Sequence, residues 1–92
     1  MTRKRTDDNQ TSIVKALRDA GASVQSLASI GRGCPDLLVG YAGKTHLIEV
    51  KARTGKLTVQ ESDWALWWNG AEVRIVRSVE QALEVIGIEA GK

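Results

Sequence analysis

Two runs rich in apolar and β-branched residues, Asp36–Tyr41 (Asp-Leu-Leu-Val-Gly-Tyr) and Thr45–Lys51 (Thr-His-Leu-Ile-Glu-Val-Lys), flank the short segment Ala42-Gly43-Lys44. Strand-like runs joined by a glycine-bearing turn form a β-hairpin, and its register fixes which side chains share a face. Side chains on a strand alternate with period two, so Glu49 and Lys51 share one face while His46, Ile48 and Val50 share the other. A fold for this chain must bury the second set and find a use for the first.

The flanking pattern supplies the covering elements. From Asn9 to Ala20 the apolar residues Ile13, Val14, Ala16, Leu17 and Ala20 follow helical spacing, and Gly21 suits a helix C-terminus. A short strand is expected within Ala22–Ala28, followed by the glycine-rich loop Ser29–Pro35. After the hairpin comes a basic loop, Arg53–Lys56. Thr58 and Glu61 then form a capping box for a helix running from Leu57 to about Trp68. Glu72–Val76 reads as a strand, and Ser78 caps a last helix with Val79, Ala82, Leu83 and Ile86 on one side. The order α-β-β-β-α-β-α describes an α/β fold, a small mixed sheet flanked by helices. It forms one domain over residues 9–88, behind a flexible basic arm at 1–8.

Composition excludes several classes. Ninety-two residues, 42% hydrophobic and 26% charged, suit a single globular domain. One cysteine, Cys34, permits no internal disulfide, and one histidine, His46, permits no two-His metal site. No apolar run approaches the ~20 residues of a membrane span, and the charged N-terminus is unlike a secretory signal. The expectation is a soluble cytoplasmic protein with no membrane partner. Its charge is uneven: residues 1–56 carry net +5 and residues 57–92 net −3, so a polyanion belongs with the first half.

A lone Glu-x-Lys on a strand is usually a solvated ion pair. Here Pro35-Asp36 places a second carboxylate at the start of the partner strand, so hairpin pairing can bring Asp36 and Glu49 together. Two converging carboxylates repel, and a hard divalent cation such as Mg²⁺ or Mn²⁺ relieves them, with the Val50 carbonyl and water completing an oxygen-rich shell. Lys51 alongside can orient or deprotonate a water, or offset transition-state charge, which describes a site for phosphodiester hydrolysis.

Gly33-Cys34-Pro35-Asp36, then Glu49-Val50-Lys51, then Gln60 resembles the PD-(D/E)xK nuclease signature, and more narrowly the stand-alone VRR-NUC family. The resemblance spans roughly Asn9 to Ile86 and implies a restriction-endonuclease-like core. It implies Asp36 and Glu49 as metal ligands, Lys51 as the catalytic lysine and Gln60 as an active-site residue at the head of its helix. Related nucleases often add an acid from the first helix; the matching position here is Gln10, with Asp7 and Asp8 just upstream. The implied activity is structure-selective cleavage of DNA, on branched substrates such as four-way (Holliday) junctions, by a homodimer. A phage origin and the host cytoplasm follow from the same resemblance. The alternatives are a flap-cutting, nicking or restriction-like nuclease of the same fold, or a catalytically inactive DNA-binding module.

Arg32, Lys44, Arg53 and Lys56 are expected to flank the site from their loops, with Arg3, Lys4 and Arg5 reaching a second run of phosphates. Trp64, Trp67 and Trp68, at i, i+3 and i+4, are expected to supply core or subunit-contact area, with base stacking as the alternative. His46 is expected to be a packed or surface histidine rather than a ligand, and Cys34 to fill space in its loop.

Overall fold

The computed structural model describes residues 5–89. Its elements are α1 (Arg5–Asp19), β1 (Ser23–Ser26), β2 (Leu37–Tyr41), β3 (Lys44–Val50), α2 (Val59–Trp67), β4 (Val73–Val76) and α3 (Val79–Val85), the order expected from the sequence. Arg3 and Lys4 lie outside the described residues. The first helix begins at Arg5 rather than Asn9, so residues 5–8 are helix and not arm; nothing between 5 and 19 is a glycine or proline that would break it.

The four strands form one sheet in the order β1-β2-β3-β4. The first two neighbouring pairs are antiparallel, and β3 pairs with β4 in parallel across the α2 connection. The β2–β3 hairpin closes through a two-residue turn, with Ala42 at φ 52° and Gly43 at φ 80°. Two successive positive φ values define the type I′ turn, whose twist matches that of the flanking strands.

Its register pairs Leu37 with Ile48 and Val39 with His46, which sends Leu37, Val39, Ile48 and Val50 to one face. Ile13 and Leu17 of α1 pack there, with Val76, Ala82 and Ile86 closing the far side. Ile13, Leu17, Val39, Ile48 and Ala82 are each 0% exposed. Full burial of such aliphatic side chains stabilises by about 1.5–3 kcal/mol apiece. The opposite face carries Leu38, Leu47, Glu49 and Ile75 and borders an open groove lined by Leu27, Ile30 and Cys34 and by the tryptophans of the α2 region; α2 has no buried residue of its own. The capping box is present as read: the Thr58 hydroxyl accepts from the Glu61 N–H at 3.1 Å, and the Glu61 carboxylate accepts from the Thr58 N–H at 2.8 Å. Among the described residues no helix is long and apolar enough to cross a membrane.

Candidate active site

The β2–β3 register, carried one residue past Leu37–Ile48, sets Asp36 directly across from Glu49. The Asp36 carbonyl is turned toward β1, where it accepts from the Leu27 N–H at 2.8 Å. The Asp36–Glu49 position therefore lacks ladder bonds between β2 and β3, and at such positions facing side chains stand closest. Burial and, after it, the Asp36 carboxylate facing Glu49 here raise the Glu49 pKa. One step further, Pro35 comes opposite Val50. Proline has no N–H for the Val50 carbonyl, and the Val50 N–H instead donates to Asp36 Oδ2 at 2.8 Å. Both backbone groups of Val50 leave the strand on this edge, so its carbonyl projects beside the Asp36 carboxylate.

Lys51 lies on the same face as Glu49. Its ammonium is 3.4 Å from Glu49 Oε2 and 2.7 Å from Glu61 Oε1, with only 15% of the side chain exposed. Its backbone is fixed from the other edge, where the N–H donates to the Val76 carbonyl at 3.0 Å. The site is thus Asp36, Glu49, Lys51 and Glu61, with Glu61 held in addition by its own capping bond.

Glu61 was absent from the sequence-derived site, and its signal was there: as the third helical residue of a capping box, its side chain turns back toward the N-cap and the end of β3. Gln60, the expected site residue, is exposed at the head of α2, and its backbone carbonyl lies against Gly33. A Cβ on Gly33 would collide with the Gln60 carbonyl, and Gly33 also sits at φ 85°. Only glycine satisfies both conditions, and the loop before Pro35 is seated on the first turn of α2 because of it.

The charges are strongly perturbed. Burial, then the Asp36 and Glu61 carboxylates, push the Glu49 pKa up to about 8, with Lys51 pulling the other way. Burial also raises Asp36, against the Val50 N–H and Lys51. Burial disfavours the charge on Lys51, yet Glu61 and Glu49 outweigh it and hold the ammonium above its usual range. The Cys34 thiol is raised by burial and then by Glu49 and Asp36, which disfavours the nucleophilic thiolate. Among the described residues no group of three or more His, Cys, Asp or Glu converges into a ready-made metal cage. The Lys51 ammonium lies against both Glu49 and Glu61, which leaves Asp36, Glu49 and the Val50 carbonyl as the oxygen donors on the open side. A close carboxylate pair, Glu49 buried and Asp36 half-buried, with a backbone carbonyl at its edge fits a hard divalent cation.

The remaining expected residues divide. Arg53 and Lys56 are exposed in the loop directly after Lys51, and Arg32 is exposed in the glycine loop before Asp36. Lys44 is not brought to the site: it starts β3, about 17 Å along the strand from Glu49, and shares the face of Val50. On α1, Gln10 lines a surface groove with Val14 and Arg18, and it is Asn9 that reaches the end of β3, donating to the Lys51 carbonyl at 3.1 Å. The side chains of Arg5, Asp7 and Asp8 lie outside the described set. The tryptophans form no closed core: Trp67 is 70% exposed, and Trp64 and Trp68 stack at 4.9 Å beside an open apolar groove of about 500 Å³. His46 is half-buried and faces away from Glu49, as expected.

A mixed four-stranded sheet with acidic residues on two adjacent strands and a lysine two residues beyond the second is the architecture of a restriction-endonuclease-like core. A solved VRR_NUC domain is similar to this chain, with TM-score 0.69 and 28% sequence identity over 91% of this chain and 96% of that one. A likeness this extensive supports a nuclease-family function. Neither a protein-family model nor a curated protein matches the sequence.

Proposed function

We propose that the protein is a Mg²⁺- or Mn²⁺-dependent DNA endonuclease acting on branched DNA, with four-way junctions as the leading substrate class. The single observation that carries this reading is the convergence of Asp36, Glu49 and Lys51 on one sheet face, beside the only half of the chain with a basic excess. Asp36, Glu49 and the Val50 carbonyl would hold the metal ion, which polarises a phosphodiester oxygen and acidifies a water when bound. Asp36 is oriented for this by the Val50 N–H. Lys51, kept charged by Glu61 and Glu49, offsets negative charge developing on the phosphate; an ammonium held above its usual range is poorly suited to act as a base. Glu61 aims that ammonium. Arg32, Arg53 and Lys56 contact flanking phosphates and add affinity without sequence preference.

The exposed tryptophans and Leu38 support a homodimer through the apolar groove, since contiguous apolar surface of this kind marks an interface. A two-fold dimer presents two cleavage sites, which suits a junction with two-fold symmetry. One observation favours a second reading, a binding module without turnover: Gln10 faces a surface groove and α1 places no described acid at the site. Both readings are separated by incubating the protein with four-way, flap, single-stranded and linear DNA, with and without Mg²⁺ or Mn²⁺. The nuclease reading expects metal-dependent cutting strongest on the junction. A shift of junction DNA with no cutting under any metal would replace it by the binding module, and equal cutting of all four substrates would remove the branched preference.

A further inference from the structure

Arg77 stands at the junction of β4 and α3, half-buried, with its guanidinium turned onto backbone. Its Nη1 donates to the carbonyls of Gly55 at 2.6 Å and Ala52 at 2.7 Å, and more loosely to that of Arg53 at 3.4 Å. The Arg77 N–H is held in turn by Gln81 Oε1 at 2.7 Å, and its carbonyl by Asn9 Nδ2 at 3.3 Å. The same Asn9 amide donates to the Lys51 carbonyl at 3.1 Å. No carboxylate pairs with Arg77 among the described residues. A half-buried cation whose partners among the described residues are neutral carbonyls is unusual, because charged side chains leave water mainly for a countercharge or a structural task.

The segment it gathers is neither helix nor strand, and besides a Gly55-to-Ala52 turn bond it is held by Arg77 at three carbonyls, those of Ala52, Arg53 and Gly55. That segment carries Arg53 and Lys56, both exposed, immediately after Lys51. Without the clamp these residues would sample many backbone states, each costing entropy to fix on binding. We propose that Arg77 is a positioning residue for DNA binding: by gathering the carbonyls of Ala52, Arg53 and Gly55 it holds Arg53 and Lys56 in one arrangement beside Lys51, ready for phosphates. This rests on DNA being the ligand, as the proposed function has it.

The test measures affinity for fluorescent junction DNA without divalent metal, so that turnover plays no part. Arg77→Gln and Arg77→Lys are each expected to weaken binding about tenfold, because the amide and the ammonium both end short of the point where Nη1 gathers the three carbonyls. Arg53→Ala combined with Lys56→Ala is expected to cost about tenfold or more, and adding Arg77→Gln to that pair little further, since residues acting through one another are not additive. In Arg77→Gln, amide exchange should quicken at Gly55 while Ile48 keeps its protection. Wild-type affinity in Arg77→Lys would show that only charge matters and would overturn the proposal. So would a loss that multiplies fully with the loop variants, or failure of both Arg77 variants to fold. Wild-type protein that binds no DNA removes the proposed function and this inference together; binding without cutting removes only the hydrolytic reading.

Discussion

The two faces of the sheet are built from alternate residues of the same strands and are used in opposite ways. On the α1–α3 side, Ile48 and Val50 join Ile13, Leu17, Val39 and Ala82 in a core closed to water. On the α2 side, Glu49 stands between those two residues in sequence, is itself only 3% exposed, and is surrounded by other carboxylates and a lysine. The covering helix there has no fully buried residue, and Trp67 stands 70% exposed beside the partly covered Trp64 and Trp68. One face supplies cohesion. The other holds charges that cohesion alone would not tolerate, which is where chemistry is expected.

If the division is real, substitutions on the two faces fail in different assays. The largest effect should be Lys51→Ala, which is expected to lower the cleavage rate ~10³-fold or more while leaving DNA affinity near wild type. Single-turnover kinetics beside a binding titration would check it, and retained turnover would remove Lys51 from the chemistry. Next, Ile48→Ala should cost ~2–5 kcal/mol of unfolding free energy by urea denaturation, against less than about 1 kcal/mol for Leu38→Ala on the other face. Comparable losses at both positions would mean that the α2 side is also a core.

The pH dependence of stability should follow Glu49. Its carboxyl titrates near 8 when folded and near 4.5 when unfolded, so between those values the folded chain binds the extra proton. Stability of the metal-free protein should therefore be highest below about pH 4.5 as far as this group is concerned, and fall as pH rises toward 8. Glu49→Gln should flatten that slope in thermal melts across the range, and an unchanged slope would place the burial cost elsewhere. The smallest effect should be Trp67→Ser, within about 0.5 kcal/mol on the monomer's stability, since the ring is 70% exposed. The same variant should weaken the dimer in sedimentation velocity; a dimer unaffected by it would move the interface away from the groove.

What was legible in the sequence follows from the periodicities involved. A strand has only two faces, so reading Glu49 and Lys51 against Ile48 and Val50 required no knowledge of the rest of the chain. The hairpin turn and its register brought Asp36 with them. Helical positions are harder, because each residue turns the side chain by about 100° and an error of one residue moves it off the site. That is why Glu61 rather than Gln60 meets Lys51, and Asn9 rather than Gln10 meets the end of β3. The capping box already fixed the direction of Glu61, but its carboxylate carries out two tasks, and only the tertiary approach of Lys51 reveals the second. The Arg77 clamp had no sequence signature, since its partners are carbonyls that every residue possesses.

The central claim, that the charged face takes a divalent ion at the Asp36–Glu49 edge, is tested most directly by Mn²⁺ titration of the amide NMR spectrum. Paramagnetic broadening should begin at Asp36, Glu49, Val50 and Lys51 and disappear in Glu49→Gln, leaving the signals of Leu17 and Ala82 sharp. Broadening centred elsewhere, or none at millimolar Mn²⁺, would contradict it.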